Sequence, residues 1–164
     1  GGSMFGIFAG IYYWFPKITG RRMSEMLGKL HFWPSLIFIN GIFMPMFLQG
    51  LAGVSRRLYD GGREYAHAQE VLHWNEFMSY SAWLLLLAQL PFIFNLFWSI
   101  RKGAPVGDNP WDATTLEWSA APSPPIAHGN FARIPVVVRG PYEYSPPDRD
   151  DDYLPQNEAA PQEA

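Results

Sequence analysis

The sequence predicts an all-α membrane protein: the end of one transmembrane helix, two complete transmembrane helices, and a proline-rich irregular tail. Three observations predict it. Residues 1–16, 30–55 and 77–100 contain no Asp, Glu, Lys or Arg, and the last two runs, 26 and 24 residues long, exceed the roughly 20 apolar residues that cross a hydrocarbon core. Charge is unevenly divided: residues 1–100 carry seven Lys/Arg against five Asp/Glu, and residues 101–164 carry five against ten. Eleven of the fifteen prolines also lie in the second part. An overall hydropathy near zero therefore averages a very apolar front against a polar tail.

The first run, 1–16, is too short to span alone. It lacks the basic leader and small-residue cleavage site of a signal peptide, so it reads as the end of a longer helix. Tyr12, Tyr13 and Trp14 stand near its end, where interfacial aromatics concentrate. Residues 17–29 form a loop in which Lys17, Arg21, Arg22 and Lys29 oppose only Glu25, which makes it cytoplasmic by the positive-inside rule. The first full span is set at 30–54. Pro34 and Pro45 are tolerated inside it, because neighbouring membrane helices re-satisfy freed carbonyls.

Residues 55–76 then form the outer, periplasmic loop, although Arg56, Arg57 and Arg63 run against the rule there. The second span is 77–100. From Leu84 to Trp98 it offers only Gln89 and Asn95 as polar residues, and apolar side chains on every face call for lipid or other helices outside. Arg101 and Lys102 follow and return the chain to the cytoplasmic side. Residues 101–147 are punctuated too often by Gly and Pro for regular structure. Within them, 109–118 and 134–138 keep large side chains, which suggests an extended strap lying on another protein surface. Residues 148–164 are acidic, poor in large apolar residues and expected to be disordered.

The chemistry this chain excludes is plain. Without cysteine it has no disulfide scaffold, thiolate metal site or cysteine nucleophile. No basic run exceeds two residues, which excludes nucleic acid as the main partner. His31, His67, His73 and His128 show no helical metal-ligand spacing. His31 reads as an interfacial or hydrogen-bonded packing residue, and His67 and His73 as solvated loop residues. No nucleophile elbow, phosphate loop or dinucleotide fingerprint occurs. The adjacent guanidiniums of Arg56 and Arg57, at a membrane boundary, call for anions. Lipid head groups or solvent answer that need. So do the carboxylates of a buried cofactor, whose geometry the arginine fork matches.

Four blocks resemble a known family: Phe8-Ala-Gly-Ile-Tyr-Tyr-Trp-Phe-Pro-Lys-Ile-Thr-Gly20, Leu27-Gly-Lys-Leu-His-Phe-Trp33, Gly50-Leu-Ala-Gly-Val-Ser-Arg-Arg-Leu-Tyr59 and Asn109-Pro-Trp-Asp-Ala-Thr-Thr-Leu-Glu-Trp118. In this order they look like the carboxy-terminal part of subunit I of a haem–copper terminal oxidase, most closely the bacterial cytochrome c oxidases. The resemblance implies the end of the tenth helix, the eleventh and the twelfth of a twelve-helix bundle in the bacterial inner membrane, with the carboxyl end cytoplasmic. It implies two haems and copper in the full subunit, whose metal ligands lie upstream of this stretch, so that no catalytic or metal-ligating residue is expected here and the stretch alone is not expected to be active. Arg56 and Arg57 match the arginine pair that bonds the haem propionates. The implied partners are oxidase subunits II and III, cytochrome c as electron donor, and membrane lipid. The implied activity is reduction of dioxygen to water coupled to proton pumping. A quinol oxidase would look alike over these residues, and a small non-enzymatic two-span scaffold or assembly protein is the reading from another class. The stretch Pro45-Met-Phe-Leu-Gln-Gly-Leu51 departs from the family's usual Pro-Gln-His-Phe-Leu-Gly-Leu, leaving one glutamine later in the helix.

Overall fold

The computed structural model of the chain describes residues 1–126, 131, 133–140 and 154–159. It divides into two units, Gly1 with Ser24–Phe97, and Gly2–Met23 with Trp98–Ala164. The chain is mostly helical. Among the described residues two helices are long and apolar enough to cross a membrane, Glu25–Leu51 with 27 residues and Trp74–Lys102 with 29. Large apolar side chains along both, such as Ile37, Phe47, Leu86 and Phe94, face outward, as solvation by lipid or further helices requires.

In the first unit, helix α2 (Glu25–Leu51) starts ahead of the expected position 30. The charges that marked a loop in the sequence in fact build a first helical turn. Ser24 caps it by accepting from the Leu27 amide at 3.5 Å, and Glu25 pairs with Lys29 at 2.8 Å one turn on. The helix stops at Leu51, before the expected 54, because the amide of Gly53 donates to Gly50 at 3.1 Å and that of Val54 to Gln49 at 3.0 Å. This closing turn needs a left-handed residue, which Gly53 supplies at φ 87°.

After two short turns, Tyr59–Gly62 and Ala66–Val71, come α3 (Trp74–Ala88) and α4 (Leu90–Lys102). The single run expected at 77–100 is interrupted at Gln89, because Pro91 has no amide proton to continue the ladder. The Gln89 amide turns instead to Leu86, 3.1 Å away, and its side-chain amide donates to the Leu85 carbonyl at 3.0 Å.

Helices α2 and α3 are bound by small and polar residues. A Cβ on Gly41 would stand 2.6 Å from Ser81 Oγ and 3.1 Å from Ser81 Cβ, so the backbones approach closely there. His31, buried, meets Gln89 Oε1 through Nε2 at 3.1 Å and packs on Phe92, while Gln89 Nε2 donates to Ser35 Oγ at 3.1 Å. That is the hydrogen-bonded packing role read for His31. Asn95, fully buried, accepts from the Ser24 amide and donates to the Ser24 carbonyl, both at 2.9 Å, and so anchors the start of α2.

In the second unit, α1 (Gly2–Thr19) runs past the expected end at 16 to Gly20, whose φ of 66° breaks it. Pro16 does not end the helix, and its carbonyl accepts the Gly20 amide at 2.8 Å. β1 (Arg21–Arg22) then pairs antiparallel with β2 (Ala104–Pro105), setting Arg21 against Pro105 and Arg22 against Ala104.

Among the described residues the tail is irregular as expected, apart from β2 and the short helix α5 (Leu116–Ser119), and the stretch 109–118 finds a surface within its own chain. It folds onto α1 of its own chain. Trp118 is 1% exposed, edge-on to Tyr13, and Trp111 stacks on Tyr13 and donates Nε1–H to the Tyr13 carbonyl at 3.0 Å. Lys17 Nζ lies over Trp118 and donates to the Ala121 carbonyl at 2.8 Å. A buried cation flanked by aromatics explains why these large side chains recur there. By contrast 134–138 is exposed, with Ile134 at 92%.

Of the tail expected to be disordered, 148–153 and 160–164 lie outside the described residues, as does His128. Residues 154–159 are ordered instead: Leu154 is buried, and Gln156 donates its amide to Thr114 at 3.0 Å and accepts from Val138 at 3.0 Å.

Candidate cofactor-binding groove

The carboxyl end of α2, the loop after it and the first turns of α3 enclose a groove of about 880 Å³. Its walls are apolar, formed by Phe43, Met46, Phe47, Leu51, Val54 and Met78. Gln49, Ser55, Arg56, Arg57 and Asn75 add the polar groups. The alternation follows from the helix. Phe43, Met46, Phe47 and Gly50 recur at three- and four-residue steps and therefore share one face.

Beyond the helix stop, Arg56 and Arg57 both reach the groove. Both are exposed, and neither guanidinium has a hydrogen-bond or ion-pair partner among the described residues. Arg57 holds φ 61°, a left-handed conformation that a non-glycine residue adopts at roughly 1 kcal/mol or more. Left-handed residues crowd this loop, with Gly53, Asp60, Gly61 and Gly62 at φ 87°, 48°, 64° and 95°. Two adjacent cations thus stand at one apolar groove, on a backbone under strain and with no anion from the described chain. Such an arrangement suits a ligand with an apolar body and carboxylates at one end.

The loop is tied down by a residue that sequence reasoning noted only as a displaced glutamine. Gln49, 6% exposed, donates through Nε2 to the Val71 carbonyl at 2.9 Å and to Asn75 Oδ1 at 3.0 Å. It links the end of α2 to the start of α3, with the arginine loop between. The trace in the sequence is the one polar residue between Asn40 and Ser55 of a charge-free run, directly before the glycine-rich helix stop. His67 and His73 sit exposed in the same loop, His73 bonding the Glu70 carbonyl at 3.0 Å. Among the described residues no group of three or more His, Cys, Asp or Glu stands ready to hold a metal ion.

Comparison with known proteins agrees with the four blocks. Residues 1–90 match the family described as Cytochrome C and Quinol oxidase polypeptide I. The chain is 42% identical over 156 residues to the alternative cytochrome c oxidase subunit 1 of Bradyrhizobium diazoefficiens, a match covering 94% of this chain and 26% of that protein. It is 45% identical over 146 residues to cytochrome c oxidase subunit 1 of Thermostichus vulcanus, covering 88% and 25%. Against the subunit of the same name in Corynebacterium glutamicum it is 39% identical over 139 residues, covering 84% and 23%. The chain spans about a quarter of the length of these relatives.

Proposed function

The chain belongs to the Cytochrome C and Quinol oxidase polypeptide I family, and from that premise we propose that it forms part of the catalytic subunit of a cytochrome c oxidase, which reduces dioxygen to water and pumps protons across the bacterial cell membrane. The names of its relatives support cytochrome c rather than quinol as the electron donor. Oxidase subunits II and III are its partners. In this reading α2 and the helix formed by α3 and α4 cross the membrane, the arginine loop is on the outer side, and the tail faces the cytoplasm. Lys17, Arg21, Arg22, Arg101 and Lys102 support that orientation.

Haem fits the groove. It joins an apolar body to two carboxylates, and the groove joins aromatic and thioether walls to Arg56 and Arg57. Those two residues hold the propionates, each guanidinium offering parallel N–H donors. Bound haem and copper supply the electron transfer and the oxygen chemistry of the whole subunit. The part played by this chain is electrostatic. Two fixed positive charges compensate the propionates and so favour the state that carries an extra electron. The loop that carries them is held by Gln49, which limits how far the charges wander.

The observation that carries this reading is the pair of guanidiniums, without a partner among the described residues, at an apolar groove, one of them on a strained backbone. The test is Arg57→Leu in the complete oxidase. Loss of one positive charge should lower the haem midpoint potential by on the order of tens of millivolts and impair pumping. An unchanged potential with unchanged proton stoichiometry overturns the assignment.

A further inference from the structure

Cations from two distant stretches of sequence converge where β1 meets the end of α4. The β1–β2 pairing brings Arg21 and Arg22 beside the segment that directly follows Arg101 and Lys102. The approach is close: a Cβ on Gly103 would stand 2.5 Å from the Ser99 carbonyl oxygen and 2.8 Å from that of Arg22. Arg21 Nη1 donates to the Gly103 carbonyl at 2.8 Å, which fixes one wall of the corner.

Among the described residues, Arg21, Arg101 and Lys102 have no carboxylate partner. Asp108 and Glu117, in the same unit, exert their pull on Lys17. Lys102 Nζ lies 4.9 Å from the Trp98 ring centre, and the Arg22 guanidinium 5.7 Å from that of Trp111. Lys102, resting on a ring, keeps its N–H groups available to an anion, and tryptophan settles at the level of lipid head groups.

We infer that this corner is a docking site for the phosphate of an anionic phospholipid, walled by Arg21, Arg101 and Lys102 and levelled by Trp98 and Trp111. The 29-residue apolar helix ending at Lys102 delivers the cluster to the membrane surface. Beside it Trp98 and Ile100 are each 47% exposed, a surface that acyl chains cover and free phosphate does not. The inference rests on the membrane-spanning reading above.

The experiment places a photo-reactive benzoylphenylalanine at Ile100 of the complete oxidase. The protein is reconstituted in nanodiscs of equimolar phosphatidylglycerol and phosphatidylcholine, and the cross-linked lipid is identified by mass spectrometry. Phosphatidylglycerol should dominate the adducts. Arg101→Gln with Lys102→Gln should weaken that preference by about 30-fold, from roughly fivefold per surface cation, and Arg101→Lys with Lys102→Arg should keep it. Lys102→Gln alone, the milder change, should give the fivefold loss. Equal adducts of both lipids in the unsubstituted protein overturn the site while the membrane placement stands. Absence of any lipid adduct overturns the placement itself. Erasure of the preference by 10 mM inorganic phosphate assigns the corner to free phosphate and overturns the lipid occupant.

Discussion

Gln49→Leu isolates what holds the arginine loop in place. Leucine keeps the approximate volume and the helix propensity of the site but removes two hydrogen bonds, to the Val71 carbonyl at 2.9 Å and to Asn75 Oδ1 at 3.0 Å. Both are neutral and well within bonding distance, so each contributes about 1 kcal/mol net, and their loss together weakens the closed loop by about 2 kcal/mol. Local opening then becomes about 30-fold more frequent, and amide exchange that proceeds through that opening accelerates by the same factor. The reporters are the amides of Ala68 and Leu72, which donate to Tyr65 at 3.0 Å and to Gln69 at 3.4 Å within the loop. Hydrogen–deuterium exchange of the solubilised oxidase should show them faster, with α4 unchanged as the internal control. Asn75→Ala removes only one of the two bonds and should give about a fivefold effect. Added to Gln49→Leu it should give little more, because the shared bond is already gone. Unchanged exchange at Ala68 and Leu72 refutes the tether. Equal acceleration throughout the chain refutes it too, since that is the mark of general destabilisation.

Gly103→Ala should force β1 away from the end of α4, because the new methyl meets backbone oxygens at 2.5 and 2.8 Å that cannot rotate aside; a loss of about 1–3 kcal/mol in thermal denaturation of the oxidase checks it. Gly41→Ala should also destabilise by about 1–3 kcal/mol, since Ser81 Oγ can turn away but Ser81 Cβ, at 3.1 Å, cannot; combining it with Ser81→Gly should recover most of the loss in a double-mutant cycle. Lys17→Met removes a charge-assisted bond of 2.8 Å to Ala121 and should free the tail, raising protease sensitivity around 109–126 by an amount that matches roughly 1.5–3 kcal/mol. Burial lowers the Lys17 pKa below its ordinary 10.5, against the opposing pull of Asp108 and Glu117. Between that lowered value and 10.5 the unfolded chain binds more protons than the folded one, so tail stability should rise with pH across the window and level off above it. Lys17→Met should flatten the rise, and a tail that loosens with pH there in the parent protein contradicts the assignment.

What the sequence makes legible, and what it hides, follows from how charge and polarity act in a membrane chain. Both long helices are visible as charge-free runs, since a span must exclude unpaired ions from the hydrocarbon core. Their ends are less visible. Taking charges as boundaries puts the start of α2 at 30, yet Glu25 and Lys29 neutralise each other within one helical turn and the helix begins beneath them. The stop is better marked, by Gly53, where only the residue with no Cβ takes the left-handed turn cheaply. Gln89 and Asn95 stand out as the two polar residues between Leu84 and Trp98. An uncompensated amide inside such a run demands a partner, so their burial is foreseeable. Their partners are not, because His31 and Ser24 lie 58 and 71 residues away and only the packing of α2 against the later helix selects them. The groove divides in the same way. Two adjacent arginines after a span announce an anion, whereas the left-handed backbone at Arg57 has no trace in composition or spacing, since nothing about arginine favours it. That strain is therefore the more telling observation. A charge pair arises wherever a helix meets water, but an arginine kept in a disfavoured conformation persists only where the structure around it over-determines its place, as the Gln49 tether and the run of left-handed residues do here.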